Sequence, residues 1–334
     1  MQTETTDPAT LLDNLDRRLV CALQLDGRAE PGLLAQVLGV SVRTVTRRLA
    51  RLRETGVLRV VLLPPAVDEA VGALLLRVRV LRGRVTAVAD ALAARADVPF
   101  VDLMLGGQEI SAVVVTDQAG RDRLLYRQLP GTDAVTETTV HAVLHLFADA
   151  AQWQAGLLTE AQVAALTPGQ PEQPDRPLPL DQLDGSLLAE LGEDARRSAA
   201  ALAQALGVPE STVRRRLRRL AAAGLLRTHA TVDPRLLGMT VDANLWLSVP
   251  PGRLAEAGRA LAAHPQVHGV LATSGPHNLM AAVFCPDYDA LYRFTTEVLA
   301  PLGADRVETA IVARAVKRAG VRLTLPGEGR RGSG

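Results

Sequence analysis

Leu34-Ala-Gln-Val-Leu-Gly-Val-Ser-Val-Arg-Thr-Val-Thr-Arg-Arg-Leu-Ala-Arg-Leu52 is the stretch whose reading decides the fold. Gly32–Leu38 reads as a short helix that stops at Gly39, a residue suited to a left-handed cap. Ser41 is then placed to cap a following helix of roughly Val42–Thr55. Leu15, Leu19 and Leu23 recur at helical spacing and supply an earlier helix. Two helices joined by a tight glycine turn form the helix-turn-helix pattern, whose second helix enters the major groove of DNA. On that helix Val42, Val45, Leu49 and Leu52 make one apolar stripe for packing. Arg47 lies opposite the stripe, with Arg43, Thr44 and Arg51 beside it and Arg48 on the flank.

The chain then repeats itself. Leu12–Arg59 aligns without gaps on Leu180–Arg227, with about half the positions identical. The opening Leu-Asp-x-Leu-Asp recurs at Leu12–Asp16 and Leu180–Asp184, Leu-Ala-Gln-x-Leu-Gly-Val at Leu34–Val40 and Leu202–Val208, and Thr-Val-x-Arg-Arg-Leu-x-Arg-Leu at Thr44–Leu52 and Thr212–Leu220. Such periodicity must be recognised before any fold is assigned. It predicts two tandem modules, each with a helical head and a mixed α/β body. In the second head Val213, Leu217 and Leu220 point inward, while Ser211, Thr212, Arg215, Arg218 and Arg219 point out.

The 334 residues carry a net charge of only +1, with 48% hydrophobic and 22% charged residues, so cores are affordable and broad disorder is excluded. Placement of charge is more telling than its sum. Residues 41–59 hold six Arg against Glu54, and residues 209–227 hold six against Glu210. Arginine's planar fork binds guanine O6 and N7 together or clasps a phosphate. Arg43, Thr44 and Arg47, with Ser211, Thr212 and Arg215, are expected at base edges. Arg48, Arg51, Arg216 and Arg219 are expected on phosphates, which position a protein without reading sequence. Thr46 and Arg214 differ between the copies, as do Arg43 and Ser211, which predicts unlike half-sites.

Each body reads as β-α-β-β-α-β, the ferredoxin-like plan. In the first, the strands are Ala73–Val80, Phe100–Leu105, Ile110–Val115 and Val135–Phe147, with helices at Val85–Ala96 and Arg121–Leu129. In the second, the strands are Val241–Val249, Val267–Thr273, Asn278–Cys285 and Arg306–Lys317, with helices at Arg253–His264 and Asp289–Leu299. Such a sheet has both helices on one face, and a second copy of the sheet is the expected cover for the other. The divisions expected are a disordered start (1–10), a first head (11–62), a first body (66–150), a helix and Pro-rich linker (151–179), a second head (180–232), a second body (236–322) and a disordered tail (323–334). The linker holds Pro168, Pro171, Pro174, Pro177 and Pro179, favouring an extended spacer, and Thr159 is placed to cap the short helix before it. The fold class is α+β, with two winged-helix-like and two ferredoxin-like domains.

This combination resembles the Lrp/AsnC family of transcription regulators, and the resemblance covers nearly the whole chain twice. It is carried best by Leu180–Arg227, by Thr273-Ser-Gly-Pro-His-Asn-Leu279, and by Glu308-Thr309 with Val312 and Ala315-Val-Lys317 in the closing strand. It implies double-stranded DNA as partner, AsnC-type bodies that pair sheet against sheet, homo-oligomers, and a small-molecule effector such as an amino acid. The family's effector turn falls on Ser274, Gly275, Pro276, His277 and Asn278, and its counterpart in the first body on Gly106, Gly107, Gln108 and Glu109. There Glu109 restores a carboxylate that Asn278 lacks. Tight hairpins without a ligand role are the competing reading of these glycines.

Other chemistry finds little support. No phosphate loop, nucleophile elbow or spaced acid pair is present, so no catalytic residue and no cofactor is expected. Cys21 and Cys285 are too few for a disulfide scaffold or zinc finger, and His264 and His268 are separated by Pro265, so no metal site is expected. The polar N-terminus and the lack of a long apolar run predict a cytoplasmic protein without a membrane partner. Two alternatives share these features. Fused AsnC-like modules also occur as sirohaem decarboxylases, a reading that only His277 invites, and a nucleoid-associated protein indifferent to sequence would share the same basic helices.

Overall fold

The computed structural model describes residues 12–62, 72–167 and 178–323. Its elements begin with helices α1 (Asn14–Leu25), α2 (Pro31–Leu38) and α3 (Val42–Glu54) and strand β1 (Arg59–Leu62). There follow β2 (Gly72–Val80), α4 (Val85–Ala93), β3 (Phe100–Met104), β4 (Glu109–Thr116), α5 (Gln118–Arg123) and β5 (Val135–Ala148). Helix α6 (Glu160–Leu166) precedes α7 (Gln182–Glu193), α8 (Ala199–Leu206), α9 (Glu210–Ala222) and β6 (Thr228–Thr231). The last elements are β7 (Val241–Ser248), α10 (Leu254–Ala262), β8 (Val267–Thr273), β9 (Leu279–Cys285), α11 (Tyr288–Arg293), β10 (Arg306–Arg318) and β11 (Val321–Arg322). The start of the chain, Pro168, Pro171, Pro174 and Pro177 of the spacer, and the tail after residue 323 lie outside the described residues. No helix among the described residues is long and apolar enough to cross a membrane.

The chain divides into two compact units, one of both heads and one of both α/β bodies. In the head unit the helices start and stop where the sequence signals them. Asp13 and Asp16 form a reciprocal capping box at α1, and Asp181 and Asp184 repeat it at α7. Gly39 and Gly207 end α2 and α8 with left-handed φ of 71° and 65°. Ser41 caps α3 by accepting the Thr44 amide at 3.1 Å, and Thr159 caps α6. Leu19, Leu23, Leu34, Val45, Leu49 and Leu52 are buried in the first head; Leu187, Leu191, Leu202, Val213 and Leu217 form the second core. Val42 departs from the expected stripe and is 51% exposed. It occupies the first helical position, on the edge of the face that Val45, Leu49 and Leu52 bury.

The two heads are bound to each other. Strand β1 pairs antiparallel with β6, Arg59 opposite Thr231 and Leu62 opposite Thr228. The Ala195 amide donates to the Val60 carbonyl at 2.9 Å. Arg28 donates to the Ala195 carbonyl, and Arg196, its counterpart in the repeat, donates to the Gly27 and Ala29 carbonyls at 2.6 and 3.0 Å. Each head thus secures the loop of the other.

In the body unit both β-α-β-β-α-β halves form as expected, with one departure. Helices α5 and α11 run into π-helical segments, Leu124–Gln128 and Phe294–Leu299. The inward residues there, Leu124 with Leu129 and Phe294 with Leu299, are five apart and all buried, a spacing that i→i+5 hydrogen bonding matches and an α-helix does not. The strand order is β11-β10-β3-β4-β2-β5-β8-β9-β7, and β10 also pairs with β7. Strand β5 pairs with β2 over Val135–Ala142 and with β8 over Val143–Ala148. Strand β10 pairs with β7 over Arg306–Ile311 and with β3 over Val312–Lys317. Each long strand therefore serves both sheets. Leu74, Leu76 and Val78 face Val88 and Leu92 of α4. The alternate residue Leu75 packs with Trp246, Met280 and Ala282 of the other half. The second sheet covers the first within one chain.

The close seam between heads yields a stability test. A Cβ on Gly27 would lie 2.5 Å from Thr228 Oγ1 and 2.7 Å from Val60 Cγ1, whereas one on Gly32 in α2 would meet nothing within 4 Å. Gly27→Ala is expected to cost about 1–3 kcal/mol by overpacking. Gly32→Ala should be neutral or stabilising by up to about 1 kcal/mol. Denaturation midpoints of the full chain compare the two.

Candidate nucleic-acid interface and effector turns

The helices after the two glycine turns expose matching surfaces. Arg43, Thr46 and Arg47 on α3, and Ser211, Arg214 and Arg215 on α9, are exposed, while Thr44 and Thr212 are half-buried near the caps. The Thr44 and Ser41 hydroxyls share a hydrogen bond of 2.9 Å. The Thr46 hydroxyl donates to the Val42 carbonyl at 2.9 Å. Arg214 is held by Glu210 one turn earlier, with Nε 2.8 Å from the carboxylate.

The four arginines expected on phosphates are engaged with carboxylates inside their own heads. Arg48 Nη1 lies 2.5 Å from Asp13 Oδ2 and 2.9 Å from Asp16 Oδ1, and Arg51 pairs with Asp16 as well. Arg216 lies 2.6 Å from Asp181 and 3.1 Å from Asp184, and Arg219 also pairs with Asp184. Asp16 and Asp184 are buried, and a buried carboxylate demands a cationic, hydrogen-bonded partner. Hydrogen bonds from Arg48 and the Asp16 amide hold the Asp13 carboxyl below the usual carboxylate range. The Asp184 amide and Arg216 do the same for Asp181. These pairs dock the third helix of each head on the start of its first. The signal was present in the sequence, since Leu-Asp-x-Leu-Asp and Arg-Arg-Leu-x-Arg are among the parts that both copies retain.

At the first effector turn Gly106, Gly107 and Gln108 are exposed, and Gly107 takes a left-handed φ of 69°. Glu109 is not a free carboxylate as expected. It accepts from Arg77 Nε at 2.7 Å and lies 3.7 Å from Arg79. Arg77 also donates to both Glu308 oxygens, at 3.1 and 2.6 Å, and sits over the Trp246 ring. At the second turn Gly275 and Pro276 are exposed. Gly275 has a φ of 104°, and a Cβ there would fall 2.6 Å from His141 Nδ1. Ser274 exchanges hydrogen bonds with the backbone of Ala142, and its carbonyl accepts from His141 at 2.8 Å. His277 Nδ1 lies 3.2 Å from Ser248 Oγ, and Nε2 lies 3.7 Å from Glu308. Asn278 uses both ends of its amide on Val249, accepting at 2.9 Å and donating at 2.8 Å. A carboxylate could not donate to that carbonyl, which explains Asn where the resemblance leads one to expect Asp.

A second polar cluster joins four strands and left no mark in the sequence. Arg318 on β10 pairs with Asp102 on β3 at 3.0 Å and with Asp242 on β7. His268 on β8 lies 3.4 Å from Asp242 and stacks on Phe284 at 3.8 Å. Burial, countered by Arg318, raises the Asp102 carboxyl to about 7. Burial would also raise Asp242, but Arg318 and the His268 hydrogen bond outweigh it and its carboxyl falls. His264 packs against Phe294 instead. Among the described residues no group of His, Cys, Asp and Glu is arranged to hold a metal.

A raised acid favours the folded state only while protonated. The contribution of Asp102 is complete below its unfolded value near 4 and is lost as pH rises through about 7. Asp102→Asn should remove that loss, so its melting temperature relative to the parent chain should rise between pH 4 and 7. Thermal melts across that range check it.

Comparison with known proteins places this architecture. Residues 12–59 match the winged helix-turn-helix DNA-binding domain, 180–221 the AsnC-type helix-turn-helix domain, and 242–321 the Lrp/AsnC ligand binding domain. An uncharacterized HTH-type transcriptional regulator of Pyrococcus horikoshii is 32% identical over 144 residues, covering 42% of this chain and 91% of that protein. The HTH-type transcriptional regulator AldR of Mycolicibacterium smegmatis is 33% identical over 138 residues, covering 40% of this chain and 80% of that protein. Among solved structures, the siroheme decarboxylase NirDL has a TM-score of 0.57 at 15% identity, over 91% of this chain and 92% of that one, a likeness of fold alone. With its AsnC-type helix-turn-helix and its ligand-binding domain, and regulators of that kind among its relatives, the chain belongs to the Lrp/AsnC family.

Proposed function

We propose that this chain is a sequence-specific, double-stranded-DNA-binding transcription regulator that acts in the cytoplasm, and that a tandem duplication has placed two helix-turn-helix heads and two AsnC-type bodies in one polypeptide. The observation that carries this reading is the pair of cationic third helices, each exposed after a glycine turn and both borne by one compact head unit. The gap-free repeat, the matching caps and the matching strand registers support the duplication. The long strands support an internal pseudo-dimer, from which homo-oligomers are built.

Base edges are assigned to Arg43, Thr46 and Arg47, with Thr44 at the cap, and to Ser211, Arg214 and Arg215, with Thr212 at the cap. A small-molecule effector is assigned to the exposed backbone of Gly106–Gln108 and Gly275–Pro276, because Glu109 and Asn278 are engaged elsewhere. No catalytic role is assigned. The full-length likeness to NirDL favours a tetrapyrrole reading only at the level of fold, and His277 is turned toward Ser248 and Glu308.

Arg47→Ala should weaken binding to a selected duplex by about 1–3 kcal/mol and leave binding to random duplexes nearly unchanged. Equal losses on both would reassign Arg47 to a phosphate, and equal affinity of the parent chain for selected and random DNA would favour the nucleoid reading. Salt dependence gives a second test. Among the described residues Arg43, Arg47, Arg215 and Arg218 make no ion pair, whereas Arg48, Arg51, Arg216 and Arg219 do. A titration of log affinity against log salt should therefore be much shallower than the roughly −11 that every arginine of the two stretches would give.

A further inference from the structure

On α3, Val42, Thr46 and Ala50 follow one another at intervals of four and form a single exposed ridge. The corresponding ridge on α9 is Glu210, Arg214 and Arg218. The adjoining ridges are more alike, with Arg47 answered by Arg215, though Arg43 is replaced by Ser211. The heads thus differ most along one line of side chains.

That line is apolar in the first head. Val42 is a β-branched side chain 51% exposed on a helix otherwise rich in charge. Thr46 donates its hydroxyl to the Val42 carbonyl, so the group it offers outward is its methyl. Ala50 adds a third methyl. The major groove displays one apolar group, the C5-methyl of thymine. In the second head the same line presents Arg214, whose Nε and Nη2 are held at 2.8 and 2.5 Å by one oxygen of Glu210, leaving the Nη1 side to face outward, and Arg218, whose Nε approaches the Arg214 carbonyl at 3.4 Å. A guanidinium pre-oriented in this way suits the paired acceptors O6 and N7 of guanine.

We infer that the two heads read chemically different half-sites, the first through thymine methyl groups packed on Val42 and Thr46, and the second through guanine bound by Arg214. The inference rests on the DNA-binding reading above and assigns the chemistry of each half.

The test uses the full chain and duplexes selected from a random pool. Replacing single thymines by deoxyuridine keeps base pairing and every hydrogen-bonding group but deletes the methyl. In one half-site this should weaken binding about fourfold per contacted methyl, and the loss should vanish at one position in Val42→Ala and at another in Thr46→Ser. Both side chains are exposed, so neither variant threatens folding. The other half-site should ignore deoxyuridine but lose about tenfold on replacement of one guanine by 7-deazaguanine, an effect absent in Arg214→Ala. Two identical selected half-sites, indifference to deoxyuridine throughout, or sensitivity that survives both Val42→Ala and Thr46→Ser would overturn the inference while leaving DNA binding intact. If the parent chain binds no duplex even at low salt, the DNA-binding reading itself fails.

Discussion

Strands β5 and β10 leave their own sheets and finish in the other, and this exchange constrains everything around it. The second halves of both strands have their ladder partners on the opposite body, Val143–Ala148 on β8 and Val312–Lys317 on β3. Without that body their amides and carbonyls would be open sheet edge, which is costly and prone to faulty pairing. The inner core obeys the same logic, because Leu75 of one half is buried by Trp246 and Met280 of the other. Neither half completes its hydrogen bonding or its apolar cover alone.

The halves are alike in plan and complementary in chemistry. Arg77 lies opposite Ser111 on β4, and Trp246 lies opposite Met280 on β9, so the two occupy corresponding places in their sheets. They also touch, with the guanidinium 5.2 Å from the ring. Corresponding residues in contact straddle the axis that relates the halves. Two identical halves would set guanidinium against guanidinium there, whereas this pair stacks a cation on an aromatic face. Glu109 and Glu308 complete the neutralisation. Arg318 between Asp102 and Asp242 likewise draws its partners from both halves.

Most of the fold was legible before the structure. Repeats, caps at Ser41 and Thr159, the glycine stop at Gly39, and the β-α-β-β-α-β order are all local patterns, and local patterns survive into the fold when they agree with one another. What escaped reading depends on partners distant in sequence. Asp102, Asp242, His268 and Arg318 sit on four different strands, and no periodicity links them. The π-helical turns of α5 and α11 escaped because a five-residue spacing between buried residues blends into a helical pattern. The site was legible in type and less so in detail: position on a helical wheel puts Arg51 and Arg219 on the outer face and Arg48 on its flank but does not reveal that a carboxylate waits within reach. Asn278 looked like a weakened ligand contact, while its amide in fact ties down the end of β7.

The division of labour among those arginines bears on how the recognition helices work. A helix that reads bases must be held at a fixed angle, since a displacement of an ångström is enough to break a bidentate contact. Asp16 and Asp184 provide that hold by receiving two arginines each on the side of the helix next to the core. The result is a firmly docked helix whose free cations are few and confined to the opposite edge. If these helices enter DNA as proposed, fewer free cations mean weaker attachment to DNA of any sequence, so a larger share of the affinity comes from base edges. On the proposed DNA-binding reading, a narrow exposed face also means that a few substitutions redefine what is read, and two heads on one chain can change independently, which two copies of one polypeptide cannot. The unlike ridges of α3 and α9 are the expected product of that freedom.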